Sequence, residues 1–188
     1  LLKNFPRPPK GTYPPYYDQY FALVGSDILI DELNQSHFET QSIILSFENK
    51  FGDFKYAEGK WSIKQVLMHV SDTERVLQYR MMCIARGEKT SLPGFDENAY
   101  VANAFCEDRS LDEILEELNT VRHATITLLG GLNKNVWLNE GLANNNKVNV
   151  AAIAYMICGH EIHHRNVITD RYVSALLNEL KLLKERPI

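Results

Sequence analysis

Proline is placed in this chain so that most of it is free to be helix. Five of the seven prolines (Pro6, Pro8, Pro9, Pro14, Pro15) fall in the first fifteen residues, and beyond them only Pro93 and Pro187 remain. Proline lacks a backbone N–H and clashes with the preceding turn, so a proline-free body is what long helices require. The start, residues 1–25, instead reads as an extended proline-rich arm, laid over the rest by Tyr13, Tyr16, Tyr17, Tyr20 and Phe21. Gly52 and Gly59, Gly87 and Gly94, and Gly130, Gly131 and Gly141 then mark three joints between four segments.

The first segment starts after Ser26 and runs to about Asn49, with Leu29, Leu33, His37, Thr40, Ile44 and Phe47 recurring at helical period. The second starts at Ser62, a good N-cap, and runs to about Ala85. Ile63, Val66, Leu67, Val70, Leu77, Met81 and Ile84 line its buried side. The third opens SLDEILEEL, with Ser110 as N-cap and Asp112 and Glu113 in the first turn, where carboxylates complement the helix dipole. The fourth begins near Asn149 and is apolar all round from Val150 to Cys158, the mark of a helix buried on most sides. Beyond Asp170, Val173, Leu176, Leu177, Leu180 and Leu183 either continue that helix or restart it. No stretch shows convincing period-2 alternation, so no strand is expected. The pattern predicts an all-α four-helix bundle, with any site built from inward-facing side chains. The joints Gly87–Asp108 and Gly130–Val148 exceed ordinary loop lengths and leave the helix order open. DENAYVANA in the first of them has the look of a short helix.

The chain of 188 residues reads as one domain, 1–188, with no internal repeat and no linker. A net charge of −4, with no basic cluster, argues against a nucleic-acid surface. Cys83, Cys106 and Cys158 form no paired motif, so a reducing cytoplasm is the default. No apolar run reaches the roughly 18 residues that span a bilayer, and the start is not a signal peptide.

The densest chemistry lies in GHEIHHRNVITDRY, Gly159 to Tyr172, which holds three of the six histidines. Indexed at about 100° per residue from His160, His164 falls at about 40° and His163 at about 300°. Val167 and Ile168, at about 340° and 80°, place the first two histidines inside the apolar arc. Imidazoles at i and i+4 on an inward face suit one metal ion, with bonds of roughly 2.0–2.1 Å. The same pair is also compatible with one core histidine and one helix cap. Gly159 costs a helix about 1 kcal/mol against alanine, which a close approach beside His160 would explain. His69 lies about 90° from the centre of the second segment's arc, beside Thr73 and Val76. A ligand and a plain hydrogen-bonding role are both open to it. His37 is better placed for a core hydrogen bond than for a metal.

Read literally, His160-Glu161-Ile162-His163-His164 is the HExxH zinc-protease signature, with Glu161 as general base. The extended form of that motif wants glycine at 167 and a third ligand at 170, where this chain has Val167 and Asp170. Nor is an edge strand expected to hold a peptide. The protease is the weaker reading.

Together, WSIKQVLMHVSDTERVLQYR (Trp61–Arg80), LPGFDENAY (Leu92–Tyr100), GHEIHHRNVITDRY and the opening YPPYYDQYFALV resemble the DinB/YfiT-like superfamily of metalloenzymes. The resemblance implies an up-down-down-up bundle with a long crossover. It implies a divalent metal, zinc or nickel, held by His69, His160 and His164. It also implies an S-transferase that uses a low-molecular-weight thiol on a small-molecule substrate, or a related hydrolase. The alternative is a non-catalytic bundle that binds a metal or ligand, or that dimerises. Asp72, Glu74, Glu161 and His163 are candidates for orienting the ligand imidazoles, and Asp96 and Tyr100 for lining the pocket. Neither nucleic acid nor membrane is expected as a partner, and a homodimer is left open.

Overall fold

The computed structural model describes residues 5–26 and 28–184. The first four residues of the arm, Pro187, and the side chains of Leu180 and Leu183 lie outside that description. In chain order the elements are α1 (Asp18–Phe21), α2 (Leu29–Leu45), α3 (Ile63–Ala85), α4 (Glu97–Ala102), α5 (Leu111–Gly131), β1 (Glu140–Ala143), β2 (Asn146–Asn149), α6 (Val150–Val167) and α7 (Ser174–Lys184).

The long helices start where the sequence supplies acceptors. Ser62 and Ser110 each form a reciprocal capping box, with Gln65 and Glu113, and the Asn149 side chain accepts from the N–H of Ala152. The helix α2 is shorter than its periodicity suggests. It ends at Leu45, and Asn49–Phe51 is a separate 3-10 turn. Between α6 and α7 the chain does not break: Ile168–Val173 is a π-helical stretch.

Side-chain pairs fix the helix directions. His69 of α3 meets His160 and Trp61 meets Tyr172, so α3 and α6 run antiparallel. Met68 meets Arg109, just before α5, and Glu74 meets Arg122, so α3 and α5 run parallel. Leu33 meets Arg122 and Gln41 meets Asn119, so α2 and α5 are antiparallel. The order is therefore up-down-down-up. Parallel α3 and α5 require residues 86–110 to cross the length of the bundle, with α4 riding on that crossover.

Two expectations are corrected. A hairpin is present, Glu140–Ala143 pairing antiparallel with Asn146–Asn149. Its two-residue turn holds Asn144 and Asn145 at φ +49° and +59°, the primed geometry that suits hairpin twist. The residues β1 buries are Gly141 and Ala143, too small to print a hydrophobic period. The arm, too, is not wholly extended. Pro15 opens a 3-10 turn, Pro15–Tyr17, where its missing N–H is not needed, and α1 follows. Tyr13, Tyr17 and Phe21 are buried, whereas Tyr16 faces solvent. Where the arm crosses α6, a Cβ on Gly159 would lie 2.3 Å from the backbone oxygen of Tyr20. Glycine is what lets the arm lie that close.

The buried apolar residues divide into two clusters. One joins the arm, the hairpin and the start of α6 to Leu77, Met81 and Ile84; the other joins Ile63, Leu67, Ile114, Leu118, Ile168 and Tyr172. Between them lies a buried polar waist that includes Ser36, His69, Thr73, Glu74, Arg122, His160 and Glu161. Placing polar groups there costs free energy unless each finds a partner.

Candidate metal centre

The antiparallel pairing of α3 and α6 sets His69 opposite His160 and His164. The Nε2 of His160 lies 3.1 Å from the Nε2 of His69 and 3.1 Å from that of His164. One ligand-capable atom from each ring lies within 4.8 Å of the others. Bonds of about 2.0–2.1 Å to a tetrahedral ion imply nitrogens about 3.3–3.4 Å apart, close to the two short separations. The other nitrogen of His69, Nδ1, lies 3.5 Å from Thr73 Oγ1, one turn along α3. That leaves Nε2 as the atom presented inward.

Burial pushes the His69 pKa down to about 4, with His163 adding a smaller push. His160 and His164 lie well below the ordinary imidazole range, first because they are buried and then because the rings repel one another's charge. All three are neutral at pH 7. Metal ligation requires that state, and no proton need leave them first.

The rings form one end of a cavity of about 300 Å³. Trp61, 4.8 Å from the His69 ring between centroids, and Tyr20, 5.9 Å from His160, wall that end. Tyr17, Arg80 and Phe95 line it farther along α3, and Glu97 also borders it. Tyr17 and Tyr20 come from the arm, so the arm builds a wall of the cavity as well as covering the core. Asp96 and Tyr100 do not line it: Asp96 caps α4, and Tyr100 is exposed beside Phe95. Their neighbours Phe95 and Glu97 are the lining residues.

The expected orienting groups are mostly elsewhere. Asp72 pairs with Arg75, 3.3 Å away. Glu74 takes both ends of the Arg122 fork, at 2.9 and 2.8 Å, and Arg122 Nη1 donates to Glu161 at 2.8 Å. Ser36 Oγ donates to Glu161, and His37 Nδ1 lies 3.3 Å from it while His37 Nε2 faces Asn119. Burial alone would raise the Glu161 carboxyl, but Arg122 outweighs it and holds the pKa at about 2. With its carboxylate tied to Arg122, Ser36 and His37, Glu161 is placed neither to orient a ligand imidazole nor to act as the base of an HExxH protease. His37 makes the core hydrogen bonds expected of it. His163 lines the cavity, its ring 5.0 Å from that of His164. Sequence reasoning placed Thr73 beside His69 but gave it no role, and it missed Arg80 and Arg122.

The sequence profile of the DinB superfamily matches residues 26–168. That span contains all three histidines and omits the arm. OB0413 of Oceanobacillus iheyensis, named a putative metal-dependent hydrolase, is 22% identical over 121 residues, covering 58% of this chain and 63% of that protein. The match thus spans less than two thirds of that relative. Among solved structures, YfiT from Bacillus subtilis is described as a probable metal-dependent hydrolase with an unusual four-helix bundle topology. It superimposes with a TM-score of 0.70 at 15% identity, over 90% of this chain and 93% of its own. A mycothiol-dependent maleylpyruvate isomerase superimposes with a TM-score of 0.61 at 16% identity, over 77% of this chain and 61% of that one. At such identities the two structures speak for the fold.

Proposed function

The chain belongs to the DinB superfamily, and on that premise we propose that His69, His160 and His164 hold one divalent metal ion, zinc or nickel, and that the cavity presents a small molecule to it. The observation that carries this reading is the convergence of three neutral imidazoles, two Nε2 pairs being 3.1 Å apart, at the end of a cavity. A divalent ion there would lower the pKa of a thiol or water at an open coordination position, supplying a nucleophile at neutral pH. None of the chain's three thiols lines the cavity: Cys106 and Cys158 are buried in the core, and Cys83 packs against it. The thiol is therefore a low-molecular-weight co-substrate, transferred to an electrophilic small molecule. His163 stands in the cavity wall, its ring kept neutral at pH 7 by burial and then by Arg171, and offers a nitrogen near where the thiol proton would leave. Trp61 and Tyr20 shelter the reacting end from water.

Hydrolysis is the second reading, favoured by the descriptions of OB0413 and YfiT. Elemental analysis of untagged protein, followed by assays with and without thiols, separates the readings. One zinc or nickel per chain is expected, lost in His160→Ala and His164→Ala with helicity kept. Consumption of an electrophile that requires an added thiol supports transfer, and turnover without one supports hydrolysis. Metal with neither activity leaves a binding module. Unaltered protein that takes up no metal sinks the reading.

A further inference from the structure

Arg80 lines the same cavity away from the three histidines, and among the described residues no carboxylate forms an ion pair with it. Its side chain is buried, with the residue 7% exposed. Among the described residues its one hydrogen bond runs from Nη2 to the carbonyl of Pro93, and Nε has no partner. The guanidinium sits 5.9 Å from the Phe95 ring centre. Two other buried polar atoms are unpartnered, Ser71 Oγ and Thr125 Oγ1, but neither residue lines the cavity. A buried guanidinium with an idle N–H is costly to keep unless something binds it.

Helix geometry relates this cation to the three rings. Eleven residues separate His69 from Arg80, which is about 1,100° of rotation, so the two project within about 20° of one direction. They lie about 16 Å apart along the axis, and the longer arginine leans back toward the helix N-terminus. The span from guanidinium to imidazole nitrogen is therefore roughly 12 Å. Tyr17, Phe95 and Trp61 supply apolar faces along the way.

We propose that the cavity recognises a carboxylate-bearing small molecule, whose carboxylate is seated on Arg80 and whose far end reaches toward the three histidines. A guanidinium fork matches a carboxylate's two oxygens. A single cation, with Glu97 also bordering the cavity, suits a monoanion better than a phosphate dianion. The inference rests on the metal-centre reading for which end of the molecule reacts, but the seat for the anion stands on Arg80 alone.

The test is isothermal titration of the full chain, zinc-supplemented, with trans-cinnamate, its neutral isostere trans-cinnamamide, and phenyl phosphate. Cinnamate is expected to bind at least tenfold tighter than cinnamamide, with the difference lost in Arg80→Met and partly kept in Arg80→Lys. Equal affinities in the unaltered protein overturn the proposal without recourse to any variant. A preference that survives Arg80→Met overturns it too, since the carboxylate then sits elsewhere. Tighter binding of phenyl phosphate does the same. Zinc content is measured on the same samples. A cinnamate preference that persists in zinc-free His160→Ala supports the Arg80 seat, whereas absence of zinc from unaltered protein defeats only the metal centre.

Discussion

Arg122 and Arg80 enter the same bundle from α5 and α3, both withdrawn from solvent at 2% and 7% exposure, and meet opposite surroundings. Arg122 spends its fork on Glu74 and its remaining nitrogen on Glu161 and the Leu33 carbonyl. Arg80 donates to one backbone oxygen and keeps an idle Nε. The adjacent residues His160 and Glu161 repeat the contrast on α6. Glu161 turns to the paired network, while His160 turns to two other lone pairs. Satisfied groups join α2, α3, α5 and α6 to one another. Among the described residues, the unanswered arginine nitrogen and the three converging imidazoles are in the cavity wall, whereas the two unpartnered hydroxyls, of Ser71 and Thr125, are not. A buried charge whose partners lie within the chain belongs to the architecture, and one in the cavity wall whose partner is missing points outward to a ligand.

The sharpest way to break that division is to remove the answered arginine. Arg122→Met would leave two carboxylates buried without their cation. Breaking a buried pair in this way costs about 3–5 kcal/mol. Urea unfolding should show a loss of that size, largely regained when Glu74→Leu and Glu161→Leu are added. A loss below about 1 kcal/mol would mean that the network is not what fixes the waist.

How much of this was legible in the sequence depends on how local each signal is. Ser62, Ser110 and Asn149 announced helix starts because a cap acts within three residues. The His160 and His164 pair was legible because one helical turn relates them. His69 was only half legible. Its position on α3 was plain, but its meeting with His160 needs the antiparallel pairing of two helices, and a family resemblance stood in for that. The hairpin was invisible because its turn uses Asn144-Asn145 rather than glycine, and because β1 buries only Gly141 and Ala143. Arg122 and Arg80 were illegible for a stronger reason. Arg122 answers residues 48 and 39 positions away, and Arg80 is defined by a partner it lacks. A charged residue beside an apolar stripe ordinarily marks a solvated flank, so neither announced itself.

The unanswered histidines give the contrast a pH signature. In the metal-free protein, His69 has a folded pKa of about 4 against an ordinary 6.5. Between those values the unfolded chain holds more protons than the folded one, so stability rises with pH across that window. The contribution is fully present above about pH 6.5 and is lost as pH falls toward 4. Urea midpoints of the chelated protein should decline over that range, and His69→Phe should flatten the slope. An unchanged slope in that variant would show that the ring is not kept neutral by burial.

The smallest effect expected is also the most discriminating. Arg80→Met gives up one hydrogen bond, to Pro93, and relieves one buried Nε of its missing partner. The two terms are each about 1 kcal/mol and oppose one another. The variant should therefore unfold within about 1 kcal/mol of the parent, and the methionine chain still packs beside Phe95. Side by side in one urea series, Arg122→Met should fall well below the parent and Arg80→Met should overlay it. A large loss at both positions would make Arg80 another strut of the fold, holding the crossover through Pro93. Overlay at Arg80 alone, with helicity and zinc content kept, would mean that its charge is retained for something the folded chain does not itself supply.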